Sequence, residues 1–198
     1  MKTGITGGIG SGKSFVCRLL SQQGITVYDC DSAAKRLMRT SPDIIRQLTA
    51  LIGPEAYIRQ NNSDEWLLNK AVVSRFLLSS EVNAHAIDAI VHPAVFRDFE
   101  ESGQQWMESA ILFESGAYRL VDRVIVVTAP QEIRIQRVMQ RDHISREKAL
   151  DWMGRQWSQE ELRRRADFEI VNDGHADLRQ QIDKILMKYD DNRHHKKA

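Results

Sequence analysis

Four glycines crowd the sequence TGGIGSGKSF, which runs from Thr6 to Phe15 near the start of the chain. Within it, Gly7 to Ser14 fits the spacing GxxxxGK(S/T), which is typical of a loop wrapped around the phosphates of a nucleotide. Glycine permits positive φ angles, so successive backbone N–H groups can converge on a phosphate. Lys13 would add a positive charge between the β- and γ-phosphates, and Ser14 would offer its hydroxyl to Mg²⁺. The stretch therefore predicts a site for ATP and Mg²⁺, with glycines at Gly7, Gly8, Gly10 and Gly12.

Two aspartates close the next apolar run, which ends in YDCD. Asp29 and Asp31 are two residues apart, so they would share one face of an extended chain at the carboxyl edge of a sheet, where α/β proteins bind ligands. A carboxylate there can accept the proton of an acceptor hydroxyl or hold a water on Mg²⁺. One aspartate could instead cap a helix that begins at Ser32. We expect Asp31 to be functional and Asp29 to support it.

A nucleotide-binding loop alone does not separate a kinase from a GTPase switch or a motor. The guanine-reading sequence NKxD does not occur, and the apolar run from Arg123 to Thr128 does not end in the carboxylates of many motors. Both observations favour a small-molecule kinase. Arg134, Arg137 and Arg141 share one helical face, which could close over a triphosphate or could be a solvated face paired with acids. Arg141, where that helix gives way to a loop, is the best lid candidate.

The elements that would position these groups follow an α/β rhythm. Short apolar runs rich in β-branched residues predict parallel strands at 3–6, 25–28, 106–109, 123–128 and 168–171. Apolar recurrence at three and four residues predicts helices at 15–22, 132–141, 146–153 and 177–189. A strand that ends before the glycines and a helix that follows them make phosphate binding a better interpretation than a glycine-rich turn without a ligand. The fold class is therefore α/β, with a five-stranded parallel sheet flanked by helices.

Residues 41–102 break this rhythm. They carry helical spacing at 44–52, 70–78 and 82–91, with no convincing strand and an exposed loop at 53–65. We therefore predict a core formed by residues 1–40 and 103–189 and a helical insertion at 41–102. The last nine residues, 190–198, predict a disordered tail.

Composition restricts the choice of partners. The chain has 198 residues, with 28 Lys and Arg against 27 Asp and Glu, and this balance gives no reason to expect a nucleic acid as partner. No run of eighteen apolar residues and no secretory signal is present, so we expect no membrane association and a cytoplasmic location. Two cysteines are too few for a disulfide framework, which fits a reducing compartment. No obligate protein partner is evident.

Seven motifs in order resemble the dephospho-CoA kinase family, from the first residues to about Tyr189. They are GGIGSGKS, GITVYDCD, the pair His92 and Pro93, ILFES, QRVMQRDHISREKA, Gln156 and ADFEIVNDG. The resemblance implies a P-loop kinase core, a helical CoA-binding domain and a mobile lid at about residues 137–160. It also implies transfer of phosphate from ATP, with Mg²⁺, to the ribose 3′-hydroxyl of dephospho-CoA, the last step of CoA synthesis.

Position by position, the resemblance assigns several roles. Asp31 would be the base toward the 3′-hydroxyl, Arg141 would belong to the lid, and His92 would lie near the acceptor. His92 could instead be a helix-end histidine that Pro93 terminates. The stretch from Asn172 to Gly174 would lie near the adenine. The ATP loop would comprise Gly10, Ser11, Gly12, Lys13, Ser14 and Phe15, in addition to Gly8.

Three positions depart from the pattern of that family. Phe15 stands where threonine is usual, which leaves Mg²⁺ binding to Ser14 intact but removes a hydroxyl. Ala110 replaces a proline, and Cys30 replaces an alanine between the two aspartates. Glu108 occupies a position where the family often has an acid, so it either holds the water shell of Mg²⁺ or forms a structural salt bridge. Two other functions stay open: a P-loop kinase acting on a nucleoside or nucleotide, and a nucleotide-binding switch that transfers nothing.

Overall fold

The computed structural model describes residues 1–59 and 66–195, and the chain forms two compact units. Unit 1 comprises Met1–Tyr28 and the chain from Gln104 onward, and unit 2 comprises Asp29–Gly103. In chain order the elements are β1 (Thr3–Thr6), α1 (Lys13–Gln22), β2 (Val27–Asp29), α2 (Cys30–Thr40), α3 (Pro42–Ile52), β3 (Tyr57–Arg59), β4 (Trp66–Leu68), α4 (Lys70–Ser79), α5 (Glu81–Ser102), β5 (Trp106–Glu108), β6 (Arg123–Thr128), α6 (Gln131–Asp142), α7 (Arg146–Gly154), α8 (Gln159–Arg165), β7 (Phe168–Val171) and α9 (Leu178–His195). Short 3₁₀ helices lie at Pro54–Ala56 and Ala117–Leu120.

The main sheet has five parallel strands in the order β2-β5-β1-β6-β7 and is flanked by helices, as predicted. Strand β1 pairs with β5 on one side and with β6 on the other, and β6 pairs with β7. Helices α1 and α9 cover the sheet through a cluster that includes Val16, Leu20 and Ile182, each of which is almost fully buried against Ile5 and Ile125. The carboxyl end of β1, in the middle of the sheet, therefore leads directly into the glycine-rich loop.

Several predicted boundaries shift. Strands β1, β6 and β7 have the predicted bounds, whereas β2 lies later than predicted and ends at Asp29. Helix α2 belongs to unit 2, so the predicted core boundary at residue 40 lies too late. Helix α9 continues to His195, which contradicts the disorder predicted from residue 190; residues 196–198 lie outside the described ranges. Within those ranges, every helix is too short or too polar to cross a lipid bilayer.

Unit 2 contains a hairpin where the sequence predicted no strand. Strands β3 and β4 are antiparallel and pair Tyr57 with Leu68 and Arg59 with Trp66. Ala56 and Tyr57 are buried, although the sequence predicted an exposed loop at 53–65, of which residues 60–65 lie outside the described ranges. Three-residue strands are too short to display an alternating pattern, so their pairing could not be read from the sequence.

Helix α5 passes through Pro93 and continues to Ser102, which contradicts the alternative in which His92 is a helix-end residue that Pro93 terminates. Proline lacks the N–H that would bond the carbonyl of Ala89, which weakens the helix locally. Val91 and Val95 are buried on either side of Pro93, and Phe99 is fully buried one turn later. The helix continues because this face is buried within unit 2, and packing contributes most of the stability of a protein helix. The burial offsets the missing hydrogen bond.

The Tyr57 hydroxyl, in the hairpin, provides a stability test. It donates a hydrogen bond of 2.7 Å to the Met38 carbonyl, and burial raises the pKa of Tyr57 to about 12. We expect Tyr57→Phe to lower the free energy of unfolding by about 1 kcal/mol, measured by urea denaturation at neutral pH. Because the folded pKa is raised, the contribution is complete below pH 10 and declines as pH rises toward 12. The matched control is Tyr118→Phe, which should change stability by less than about 0.5 kcal/mol; equal losses would contradict this role.

Candidate active site

The glycine-rich loop joins β1 to α1 and brings the predicted phosphate-binding residues into one continuous turn. It runs from Gly7 to Gly12, and α1 begins at Lys13, two residues before the predicted start. Gly10 and Gly12 have φ angles of 80° and 95°, which only glycine adopts at low cost. The loop and the first turn of α1 thus carry Gly8, Gly10, Ser11, Gly12, Lys13, Ser14 and Phe15.

Close contacts with the rest of unit 1 also require these glycines. A Cβ atom on Gly12 would lie 2.0 Å from Nδ2 of Asn172, and one on Gly7 would lie 2.2 Å from the carbonyl oxygen of Val127. Neither distance is compatible with a side chain unless the backbone moves. The glycines therefore let the loop pack against its own scaffold, in addition to leaving its N–H groups accessible.

Lys13, the first residue of α1, contacts this loop through its side chain. Its Nζ donates a 2.7 Å hydrogen bond to the Gly7 carbonyl and lies 3.9 Å from Oε1 of Glu108. Both side chains are about nine-tenths buried, so water screens the ion pair weakly. Of the two roles considered for Glu108, the structure contains the salt bridge. A part in holding the water shell of Mg²⁺ stays a prediction.

Two arginines of the predicted lid helix contact the loop backbone. Arg134 is buried, its Nε donates to the Ile9 carbonyl at 2.9 Å, and burial lowers its pKa. Nη1 of Arg137 lies 3.4 Å from the carbonyl oxygens of Gly10 and Ser11. These two guanidinium groups therefore contact the loop backbone, a role that neither alternative for this helical face included, and a part in neutralising a triphosphate stays a prediction.

The other two arginines of this region pair with acids. Arg141 is exposed and binds Asp142 at 2.7 Å, and this hydrogen bond lowers the pKa of Asp142 and raises that of Arg141. Arg146 forms two hydrogen bonds of 2.7 Å with Glu132 across the start of α6 and α7. Exposed pairs of this kind are weak, so Arg141 can exchange its partner for another anion at small cost.

The predicted lid at about residues 137–160 contains the end of α6, helix α7 and the segment that follows it. Helix α6 ends at Asp142, and His143 adopts a left-handed conformation with a φ of 52°. Ile135, Val138 and Ala149 form a small buried cluster that joins α6 to α7. This cluster makes the segment a packed unit, and its mobility stays a prediction.

Asn172, predicted near the adenine, contacts the loop. Its Nδ2 donates to the Ser11 carbonyl at 2.9 Å, and its Oδ1 accepts from Nη2 of Arg137 at 3.2 Å. Gly174, the other predicted residue, is exposed, with a φ of 87°. Between them, the Asp173 carboxylate accepts hydrogen bonds from the backbone N–H groups of the two residues after Gly174, which lowers its pKa. The contact of this segment with adenine stays a prediction.

The two aspartates lie at the start of unit 2. Asp29 caps α2: its carboxylate accepts hydrogen bonds from the backbone N–H and the hydroxyl of Ser32, at 2.9 and 2.7 Å. Asp31 lies in the first helical turn and is exposed. The pair is therefore not on one face of an extended chain, because the helix begins at Cys30. Asp29 is thus the aspartate that caps α2, as one alternative from the sequence suggested. Asp31 is left accessible to a ligand.

His92, the predicted acceptor-side residue, lies within α5 and not at its end. Its Nε2 is 3.5 Å from Oδ1 of Asp88, one turn earlier, and its ring stacks on Phe96 with centroids 6.1 Å apart. A contact between His92 and substrate stays a prediction. Cys30, between the two aspartates, is buried.

The contact of Gln156 with the loop was also not predicted. Oε1 of Gln156, a residue that entered only as one of the seven motifs, accepts a 2.7 Å hydrogen bond from the Ile9 N–H. The two residues are 147 positions apart, so no local pattern links them. A single glutamine after α7 carried no signal beyond its place in that motif series.

The Asn172 amide provides a test of the loop's support. We expect Asn172→Ala to weaken ATP binding by roughly 5- to 30-fold, since it removes a buried hydrogen bond that fixes the Ser11 carbonyl. Isothermal titration calorimetry measures the change. The control is Gln181→Ala. The Gln181 amide forms hydrogen bonds with the backbone N–H and carbonyl of Val171, the residue before Asn172, and not with the loop. If both variants bind ATP like the unmodified chain, Asn172 does not support the loop.

Comparison with known proteins shows the family to which the chain belongs. A family model described as dephospho-CoA kinase matches residues 1–177. The dephospho-CoA kinase of Bacteroides fragilis is 38% identical over 197 residues, which covers 94% of this chain and 91% of the relative. That of Chlorobaculum tepidum is 37% identical over 192 residues, with coverage of 92% and 91%. The solved structure of TT1252 from Thermus thermophilus has a TM-score of 0.81 at 32% identity and covers 96% of this chain and 97% of its own.

Proposed function

Because this chain belongs to the dephospho-CoA kinase family, we propose that it transfers the γ-phosphoryl group of ATP to the ribose 3′-hydroxyl of dephospho-CoA and so completes CoA synthesis. The chain is an ATP-dependent phosphotransferase. The observation that carries the proposal is the glycine loop, which is held by hydrogen bonds from unit 1 and has the buried Lys13 side chain beside Glu108. Such a loop is a preorganised receptor for a polyphosphate.

In the proposed reaction, the backbone N–H groups of the loop and the Lys13 ammonium hold the β- and γ-phosphates. The acceptor oxygen attacks the γ-phosphorus while the bond from that phosphorus to the β–γ bridging oxygen breaks. The acceptor proton passes to the Asp31 carboxylate, and ADP leaves. Catalysis of this kind rests mainly on positioning and on stabilising the charge of the transferring group. The exposed Arg141 would supply charge to that group when the lid closes.

The described residues of this site offer Mg²⁺ few protein ligands. The described residues contain no cluster of three His, Cys, Asp or Glu side chains that could hold a metal alone. Ser14 is exposed in the first turn of α1, so its hydroxyl oxygen is accessible as one ligand. Mg²⁺ usually takes one or two protein ligands and completes its shell with phosphate oxygens and water. Ser14 would therefore hold Mg²⁺ together with ATP, and the ion would neutralise phosphate charge.

On the acceptor side, the proposal rests on unit 2. Asp31 is accessible in the first turn of α2, while Asp29 is occupied as its cap, which supports Asp31 as the base. His92 is half-buried in α5 and is proposed to contact dephospho-CoA. A cytoplasmic location and independence from nucleic acid, membranes and protein partners stay predictions from composition.

The deciding assay follows ADP release with ATP and Mg²⁺ in the presence of dephospho-CoA, adenosine, AMP or no acceptor. We expect turnover with dephospho-CoA alone, with mass spectrometry locating the new phosphate on the 3′-oxygen. Turnover with adenosine or AMP instead would support a nucleoside or nucleotide kinase. ATP binding without transfer to any acceptor would support a nucleotide-binding switch.

A further inference from the structure

We propose that Gln156 is a positioning residue for ATP binding, which acts through its hydrogen bond to the backbone of Ile9. The inference rests on the proposed function only in requiring that the glycine loop bind ATP. Oε1 of Gln156 accepts from the Ile9 N–H at 2.7 Å, in a partly buried environment. Ile9 lies between Gly8 and Gly10, so fixing its peptide group orients the loop on both sides of it.

Ile9 is held from three directions. Besides the Gln156 contact to its N–H, its carbonyl accepts from Nε of Arg134 at 2.9 Å, and its side chain packs against the cluster that joins α6 to α7. The neighbouring glycines leave no space around this anchor: a Cβ on Gly8 would lie 2.4 Å from Nη2 of Arg134, and one on Gly10 would lie 2.6 Å from the Arg134 carbonyl oxygen. Ile9 is therefore a point at which α6 and the segment after α7 both hold the loop.

Gln156 is itself held in place by its neighbours. The N–H of Trp157 donates to Oε1 of Glu114 at 3.3 Å. The Trp157 ring lies parallel to that of Phe113, with centroids 5.9 Å apart, and the Arg165 guanidinium lies 4.5 Å from its centroid. These contacts fix the backbone beside Gln156, so its amide meets Ile9 with little loss of conformational freedom.

Such a contact has a defined energetic consequence. A loop rich in glycine has many accessible conformations, and ordering them opposes ligand binding. The hydrogen bond to Ile9 removes part of that freedom before ATP arrives, so its loss should weaken ATP binding in the ground state and the transition state alike. Uniform weakening raises KM and leaves kcat nearly unchanged.

The experiment compares Gln156→Met, which keeps the length of the side chain and removes its acceptor, with Gln159→Met. Gln159 is a matched control because its amide pairs with the backbone N–H and carbonyl of Ala129, away from the glycine loop. We expect Gln156→Met to raise the Kd and KM for ATP about tenfold, as for loss of one hydrogen bond, with kcat and the KM for dephospho-CoA within about twofold. Gln159→Met should leave the Kd for ATP unchanged.

A second measurement does not depend on turnover. Hydrogen exchange at the Ile9 amide, followed by NMR in the protein without nucleotide, should accelerate about tenfold in Gln156→Met and not in Gln159→Met. Gln156→Glu keeps an acceptor oxygen and should restore protection of that amide, even if Gln156→Met folds poorly. Unchanged ATP binding in a folded Gln156→Met protein, or no recovery in Gln156→Glu, overturns the proposal. Tight ATP binding by the unmodified chain without phosphorylation of dephospho-CoA would reject the proposed function and leave this test intact.

Discussion

Replacing Lys13 by methionine is expected to lower kcat/KM for ATP by roughly a thousandfold or more. The Lys13 ammonium is the buried cation of the glycine loop, 2.7 Å from the Gly7 carbonyl and 3.9 Å from Glu108. Charge that stabilises a transferring phosphoryl group in a poorly hydrated site contributes several kcal/mol to catalysis. In the variant, the Glu108 carboxylate would also repel the triphosphate that the ammonium attracted. Steady-state kinetics with varied ATP measure the loss.

Two controls separate this effect from damage to the fold. Lys184→Met removes an exposed lysine of α9 that pairs with Gln180, and it should leave kcat/KM unchanged. The double variant Lys13→Met with Glu108→Gln removes both members of the buried pair, so it should recover thermal stability without recovering turnover. Recovery of turnover in the double variant would mean that Lys13 only neutralises Glu108.

Converting Asp31 to asparagine should lower kcat by roughly 10²- to 10⁴-fold while the Kd for ATP stays within about twofold. An amide cannot accept the proton of the 3′-hydroxyl, and general-base catalysis contributes an effect of this size. Asp31 is exposed in the first turn of α2, so the change leaves no buried group without a partner. A single-turnover measurement with saturating dephospho-CoA isolates the transfer step from product release.

The chain offers a close control for this variant in Asp29→Asn. Asparagine and aspartate cap helices about equally well, so α2 should keep the capping hydrogen bond that the Ser32 backbone N–H donates to the side-chain oxygen of residue 29. We expect Asp29→Asn to retain near-normal kcat. If Asp31→Asn transfers phosphate at the normal rate, or if Asp29→Asn loses as much activity, the base has been assigned to the wrong carboxylate.

Features encoded within a short stretch of sequence could be predicted well. Strands β1, β6 and β7 are four to six residues long and each contains β-branched residues, and their bounds were predicted without error. The glycine loop was recognised because its spacing reflects backbone geometry that few other residues allow. A local sequence pattern is therefore sufficient to predict an element whose structure depends mainly on its own residues.

The features that escaped prediction depend on contacts between distant residues. Asn172 binds the loop from 161 positions away and Gln156 from 147, and neither spacing has a local signature. A helix end at Pro93 was one alternative, because proline disfavours a helix interior. Buried residues on both sides of Pro93 stabilise α5 against that local preference. Asp29 and Asp31 were expected to share a face, because the sequence did not reveal that a helix begins between them.

The interruption of unit 1 by unit 2 has a consequence for biosynthesis. The partner strands of β1 are β5 and β6, in registers that join Thr3 to Trp106 and to Arg123, so the ribosome delivers all of unit 2 before either partner appears. At typical elongation rates of about 5–20 residues per second, this interval lasts roughly 5–20 s. Gln156 and Asn172 emerge later still. A nascent chain that has exposed the complete glycine motif therefore still lacks the side chains that shape it, and it gains a formed nucleotide site only when most of the protein has been translated.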